Sequence, residues 1–122
     1  MATINIGNES FGSTVAEDGI TFVDFWAAWC GPCRMFGPIF EEASEKYPEI
    51  IFAKVDTEAE QELAQAAGIT SIPTLMAFKD GILVFSQPGA LPAPAFDDLI
   101  QKVQGLDMED VRKQIAAEEA LS

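Results

Sequence analysis

The sequence predicts an α/β sandwich with a mixed β-sheet, and three observations carry that reading. Ile20-Thr-Phe-Val-Asp-Phe-Trp26 and Ile50-Ile-Phe-Ala-Lys-Val55 are apolar at nearly every position, the pattern of strands covered on both faces. Between them, Cys33 to Lys46 sets Met35, Phe36, Ile39, Phe40 and Ala43 at helical spacing, with Glu41, Glu42 and Glu45 on the other side. Further on, Thr74–Lys79 and Ile82–Ser86 flank Asp80-Gly81, a strong hairpin signal. The strand-helix-strand unit supplies the parallel part of the sheet and the hairpin its antiparallel end.

The remaining elements fit around this frame. Ile4 and Ile6 suggest a short edge strand, and Asn8 is placed to cap a helix running through Val15. After the second long strand, Ala59–Ala67 reads as a helix stopped by Gly68, whose freedom at positive φ suits a helix end. A last core helix is expected from about Pro94 to Gln104. In the tail, Asp107 is a good N-cap, Glu109 and Asp110 favour the positive helix end, and Met108, Val111 and Ile115 form a narrow apolar stripe. An extra helix docked on the body is therefore expected after Gly105. The order is β-α-β-α-β-α-β-β-α plus this extension, with 1–105 as one domain and 106–122 as a C-terminal helical extension of it.

Composition bounds the function. A chain of 122 residues that is 48% hydrophobic can bury one core and is too short for two ordinary domains. Its formal charge of −13 would repel a phosphate backbone, so nucleic acid is not an expected partner. Nor is a membrane, since no run approaches the ~20 apolar residues of a span. Met1-Ala-Thr-Ile-Asn-Ile6 has neither the basic region nor the apolar block of a signal peptide, and a cytoplasmic protein is the expectation. In a reducing compartment, a close cysteine pair points to catalysis or metal binding rather than to a structural staple.

The chain has 2 cysteines, and both stand in Trp29-Cys-Gly-Pro-Cys33, at the carboxyl end of a central strand where a helix begins. A closed zinc site normally takes four Cys or His ligands, and there are 0 histidines. Covalent haem attachment needs His where Arg34 stands, and a cysteine protease needs an imidazole base. Reversible dithiol–disulfide exchange remains, with an inert buried pair of thiols as the bland alternative. At a helix start, unpaired amides and the macrodipole favour a Cys30 thiolate, which makes it the nucleophile. Cys33, three residues on, is the resolving thiol. Pro32 suits the first helical turn. Trp29 is read as an apolar platform for partner proteins, against the alternative that it is core. Asp24 interrupts an apolar strand, where burial raises its pKa and suits it to accept the Cys33 proton. Lys54 interrupts the neighbouring strand, and reaching Asp24 would lower the cost of each; the alternative is a lysine extending to solvent.

The Trp29-Cys-Gly-Pro-Cys33 stretch, together with Val-Asp24-Phe-Trp, Ala-Lys54-Val-Asp, Ser-Ile72-Pro73-Thr-Leu, Phe78-Lys-Asp-Gly81 and Gly89-Ala-Leu, resembles the thioredoxin family over about residues 3–105. The resemblance implies a thioredoxin fold, its central mixed sheet flanked by helices on both faces. It also implies protein-disulfide reduction, with disulfide-containing proteins as substrates and a thioredoxin reductase to recycle the oxidised form. It gives catalytic roles to Cys30, Cys33, Asp24 and Lys54, a cis bond at Pro73, and a docking surface of Trp29, Gly31, Pro32, Ile72, Pro73 and Gly89. There the Ile72 backbone could pair with an extended substrate segment. A monomer without cofactor or metal is expected. Arg34, Gly37 and Gln87-Pro88 depart from the residues commoner in the family. The rival readings are a disulfide oxidase or isomerase on the same fold, and a binding module whose thiols are incidental.

Overall fold

The computed structural model describes residues 2–121, so Met1 and Ser122, the outer ends of the two expected segments, lie outside the described residues. The elements are β1 (Thr3–Asn5), α1 (Phe11–Val15), β2 (Ile20–Trp26), α2 (Gly31–Lys46), β3 (Ile51–Asp56), α3 (Gln61–Ala66), β4 (Thr74–Lys79), β5 (Ile82–Pro88), α4 (Ala93–Gln104) and α5 (Met108–Leu121). The five strands form one sheet in the order β1-β3-β2-β4-β5. Both pairings of β3 are parallel, and β4 runs antiparallel to β2 and β5.

Period-two alternation on β2 sorts its side chains between two cores. Phe22 faces the layer shared with Phe36 and Phe40 of α2, Phe52 of β3 and Phe96 of α4. The Phe22 ring meets Phe96 edge-on at 5.5 Å and stacks on Phe52 at 5.7 Å. Val23 and Phe25 face the other layer, with Val15 of α1, Leu63 of α3 and Met76 of β4. Each such side chain stabilises by ~1.5–3 kcal/mol before ordering entropy is subtracted. Asp24 falls on the Phe22 side, the face that α2 covers, and pairs in register with Lys54 and Leu75.

The boundaries depart from the sequence reading where side chains cap or tie loops. α2 begins at Gly31, two residues ahead of the apolar stripe that opens at Cys33; Cys30 is its N-cap, as expected of a cysteine at the helix start, and its sulfur accepts from Cys33 N at 3.2 Å. Asn8 caps nothing; its N–H donates to Glu60 Oε1 at 2.7 Å, and Ser10 stands at the N-cap of α1. α3 is shorter than the expected Ala59–Ala67, since Asp56 Oδ1 accepts from the N–H groups of Glu58 and Ala59 and folds them into a turn. At the hairpin, Asp80 and Gly81 take φ of 52° and 79°, the two positive values that a tight β-turn of this hand requires. The tail is helical as expected: Asp107 Oδ1 accepts from Glu109 N and Asp110 N, and Met108 is buried.

Candidate active site

A four-residue turn, 27–30, joins β2 to α2, and this junction places the two cysteines. Cys30 and Cys33 are joined as a disulfide and buried with Ala27, packed against Trp26 and Ile72. Cys30 is extended, and from Gly31 the chain turns helical with Pro32 in the first turn, where a missing N–H removes no bond. The Cys30 sulfur therefore sits among the free amides at the positive end of a 16-residue helix.

A second loop closes over the sulfur from the β4 side. The Ile72–Pro73 bond is cis, and the Ile72 carbonyl oxygen lies 3.7 Å from Cys30 Sγ. Pro73 O accepts from Gly89 N at 2.8 Å, which draws the end of β5 to the same edge. A cavity of about 110 Å³ lies beside it, lined by Leu75, Phe85, Gln87, Pro88, Gly89, Ala90 and Leu91. Thus Cys30, Cys33, Gly31, Pro32, Ile72, Pro73 and Gly89, separated by up to 59 positions in the chain, share one end of the sheet.

Trp29 is 66% exposed, and its indole N–H donates to Glu58 Oε1 at 3.0 Å. Glu58 escapes sequence reasoning, because it lies in an acidic stretch that reads as solvated surface and only strand pairing brings the end of β3 beside Trp29. Trp26 is largely buried against the cysteines, and its indole nitrogen meets no acceptor among the described residues.

On β2, Asp24 is 1% exposed and no described group donates to either carboxylate oxygen. Burial pushes its pKa up to about 7, partly offset by the positive charge of Lys54. Direct pairing is not formed. The Lys54 ammonium instead lies over the Trp26 ring, 5.1 Å from its centroid, where the indole face attracts the cation. Lys54 and Trp26 line a cleft of about 410 Å³ with Asn5, Ile6, Gly7, Asp56, Ala59 and Glu60. Among the described residues no group of three or more acidic, Cys or His side chains is placed to hold a metal, and no helix is long and apolar enough to cross a membrane.

The chain that carries this disulfide at a helix start, the cis-proline loop and the buried carboxylate matches a known family. The family model described as Thioredoxin matches residues 2–104. The chain belongs to the thioredoxin family. It is similar to "Putative thioredoxin 2" of Streptomyces coelicolor, 50% identical over 119 residues, which span 98% of this chain and 89% of that one. It is also 38% identical to the Bacillus subtilis thioredoxin, across 84% of this chain and 98% of the relative. A solved thioredoxin of Plasmodium falciparum superposes with a TM-score of 0.74 at 36% identity, covering 82% of this chain and 97% of the other. The fold is therefore the thioredoxin fold, and the Cys30–Cys33 pair is the couple of a thiol-disulfide oxidoreductase acting on protein disulfides. The Streptomyces match extends into α5, whereas the family model ends with α4.

Proposed function

We propose that this thioredoxin-family chain reduces disulfides of cytoplasmic proteins with Cys30 as attacking thiol, Cys33 as resolving thiol and Asp24 as proton acceptor. The observation that carries the assignment is the asymmetry of the pair: the Cys30 sulfur caps α2, while Cys33 lies one turn inside it. The cap position favours the thiolate, which attacks a substrate disulfide. One S–S bond breaks, a mixed disulfide forms at Cys30, and the first substrate sulfur leaves as a thiolate. Cys33 then gives its proton to the Asp24 carboxylate and attacks Cys30 Sγ. The second substrate thiolate departs, and the chain is left with the Cys30–Cys33 disulfide, having passed on two electrons. A reductase, by this reading a thioredoxin reductase, returns them.

Asp24 suits this task because a carboxylic acid of pKa about 7 both holds and releases a proton near neutrality. Lys54, over Trp26, lowers that value and lies in a cleft that Trp26 also lines. Trp29, Gly31, Pro32, Ile72, Pro73 and Gly89 form the surface on which an extended substrate segment docks, with the Ile72 backbone pairing with it like a strand. Residues 1–105 carry the chemistry, and 106–122 extend the same domain. The test is turnover of a protein disulfide. Cys30→Ser abolishes it, while Cys33→Ser accumulates a mixed disulfide through Cys30, detected as a reducible covalent adduct. Adducts trapped by Cys30→Ser instead would reverse the roles.

A further inference from the structure

We propose that Met35 is a peroxide-oxidised modification site that lowers substrate docking when its thioether becomes a sulfoxide, an inference that rests on the disulfide-reductase reading for its consequence. Met35 is 74% exposed, whereas Met76 and Met108 are 6% and 8% exposed, so one thioether among the described residues faces solvent. It stands in the second turn of α2, three residues after Pro32 and four after Gly31, positions that share one helix face. Helical side chains lean toward the N-terminus of their helix, so this one covers surface toward the exposed Gly31-Pro32 turn. With Trp29, it supplies large exposed apolar surface at the cysteine end of the molecule.

In the disulfide form neither cysteine offers a thiol to compete for oxidant. The Met35 sulfur attacks the terminal oxygen of a hydroperoxide; the S–O bond forms, the O–O bond breaks, and the proton on the transferred oxygen passes through water to the departing oxygen. Sulfur loses two electrons, and the peroxide is reduced to an alcohol, or to water when it is hydrogen peroxide. A flexible apolar side chain thereby becomes a polar hydrogen-bond acceptor, which an apolar partner surface must desolvate.

Trypsin separates the methionines, leaving Met35 in the peptide 35–46, Met76 in 55–79 and Met108 in 103–112. The disulfide form is treated with hydrogen peroxide, then assayed for reduction of a protein disulfide, each protein being compared with its own untreated rate. Oxygen addition on 35–46 is expected roughly tenfold faster than on the peptides of the two buried methionines, following exposure. With Met35 fully converted, kcat/KM should fall roughly three- to tenfold through KM, while Met35→Leu keeps its own untreated value. Equal or faster addition at Met76 or Met108, undiminished kcat/KM at full conversion, or the same loss in Met35→Leu would each overturn the proposal. Inactivity of the untreated chain would instead refute the reductase reading, and the peptide result would still locate the oxidised residue.

Discussion

Asp24 occupies a strand position where the pattern calls for an apolar side chain, and its surroundings give it no hydrogen-bond donor among the described residues. The folded-state pKa of about 7 lies above the ordinary aspartate value of 3.8, so the folded chain binds this proton more tightly than the unfolded one. Stability therefore falls as pH rises between roughly 4 and 7, by ~4 kcal/mol at most, and the deficit is complete above that window. Asp24→Asn removes it. The variant should melt several degrees above the parent at pH 8–9, with the difference shrinking toward pH 4, and its disulfide exchange should be slower at neutral pH. Thermal melts across that range, with exchange rates on the same samples, decide the matter; a melting difference that is the same at both pH extremes would remove the titration as its cause. Sequence alone exposes Asp24 as an anomaly. The lysine beside it is different, because its orientation over Trp26 depends on a cleft assembled from β1, β3 and the loop after β3.

Helix α5 shows how an element is positioned by groups outside it. Lys79 Nζ donates to the carbonyls of Val103, Gln104 and Leu106 at 2.9, 2.9 and 3.0 Å, closing the negative end of α4 and the turn into α5. Arg112 of α5 reaches Asp80 Oδ2 at 3.7 Å, and Asp80 Oδ1 in turn accepts from Gly19 N at 2.8 Å. Met108 is buried, while Val111 and Ile115 are half-covered. The contacts thus gather at the start of the helix, on the β4–β5 turn and away from the cysteine end of the sheet. Truncation after Gly105 should cost roughly 1–3 kcal/mol from lost burial, net of ordering entropy. A urea titration should record that loss while protein-disulfide reduction stays within a few-fold of the parent. A folded truncation with most of its activity gone would place α5 in the docking surface. The N-cap and the stripe of this helix are legible in the sequence, but its tether is not, since Lys79 reads as an ordinary strand-end lysine.

For the whole molecule, 20 acidic against 7 basic side chains crowd like charge onto a small body. Self-repulsion weakens the folded state and salt screens it, so the melting temperature should rise by a few degrees between about 10 mM and 0.5 M sodium chloride at neutral pH. A fall over that range would mean that specific ion pairs outweigh the net charge. The sequence by itself determined the order of elements, the faces that strands and helices bury, the hairpin at Asp80-Gly81 and the Cys30/Cys33 pair. Those features rest on spacings of two to four residues, which backbone geometry converts directly into shared faces. Only the tertiary structure decided that Gly89 bonds Pro73, that Glu58 holds Trp29, that Lys54 turns to Trp26 instead of Asp24, and how far the Asp24 proton is held. Each of those joins segments distant in sequence, where the outcome depends on packing and desolvation summed over the fold rather than on any local pattern.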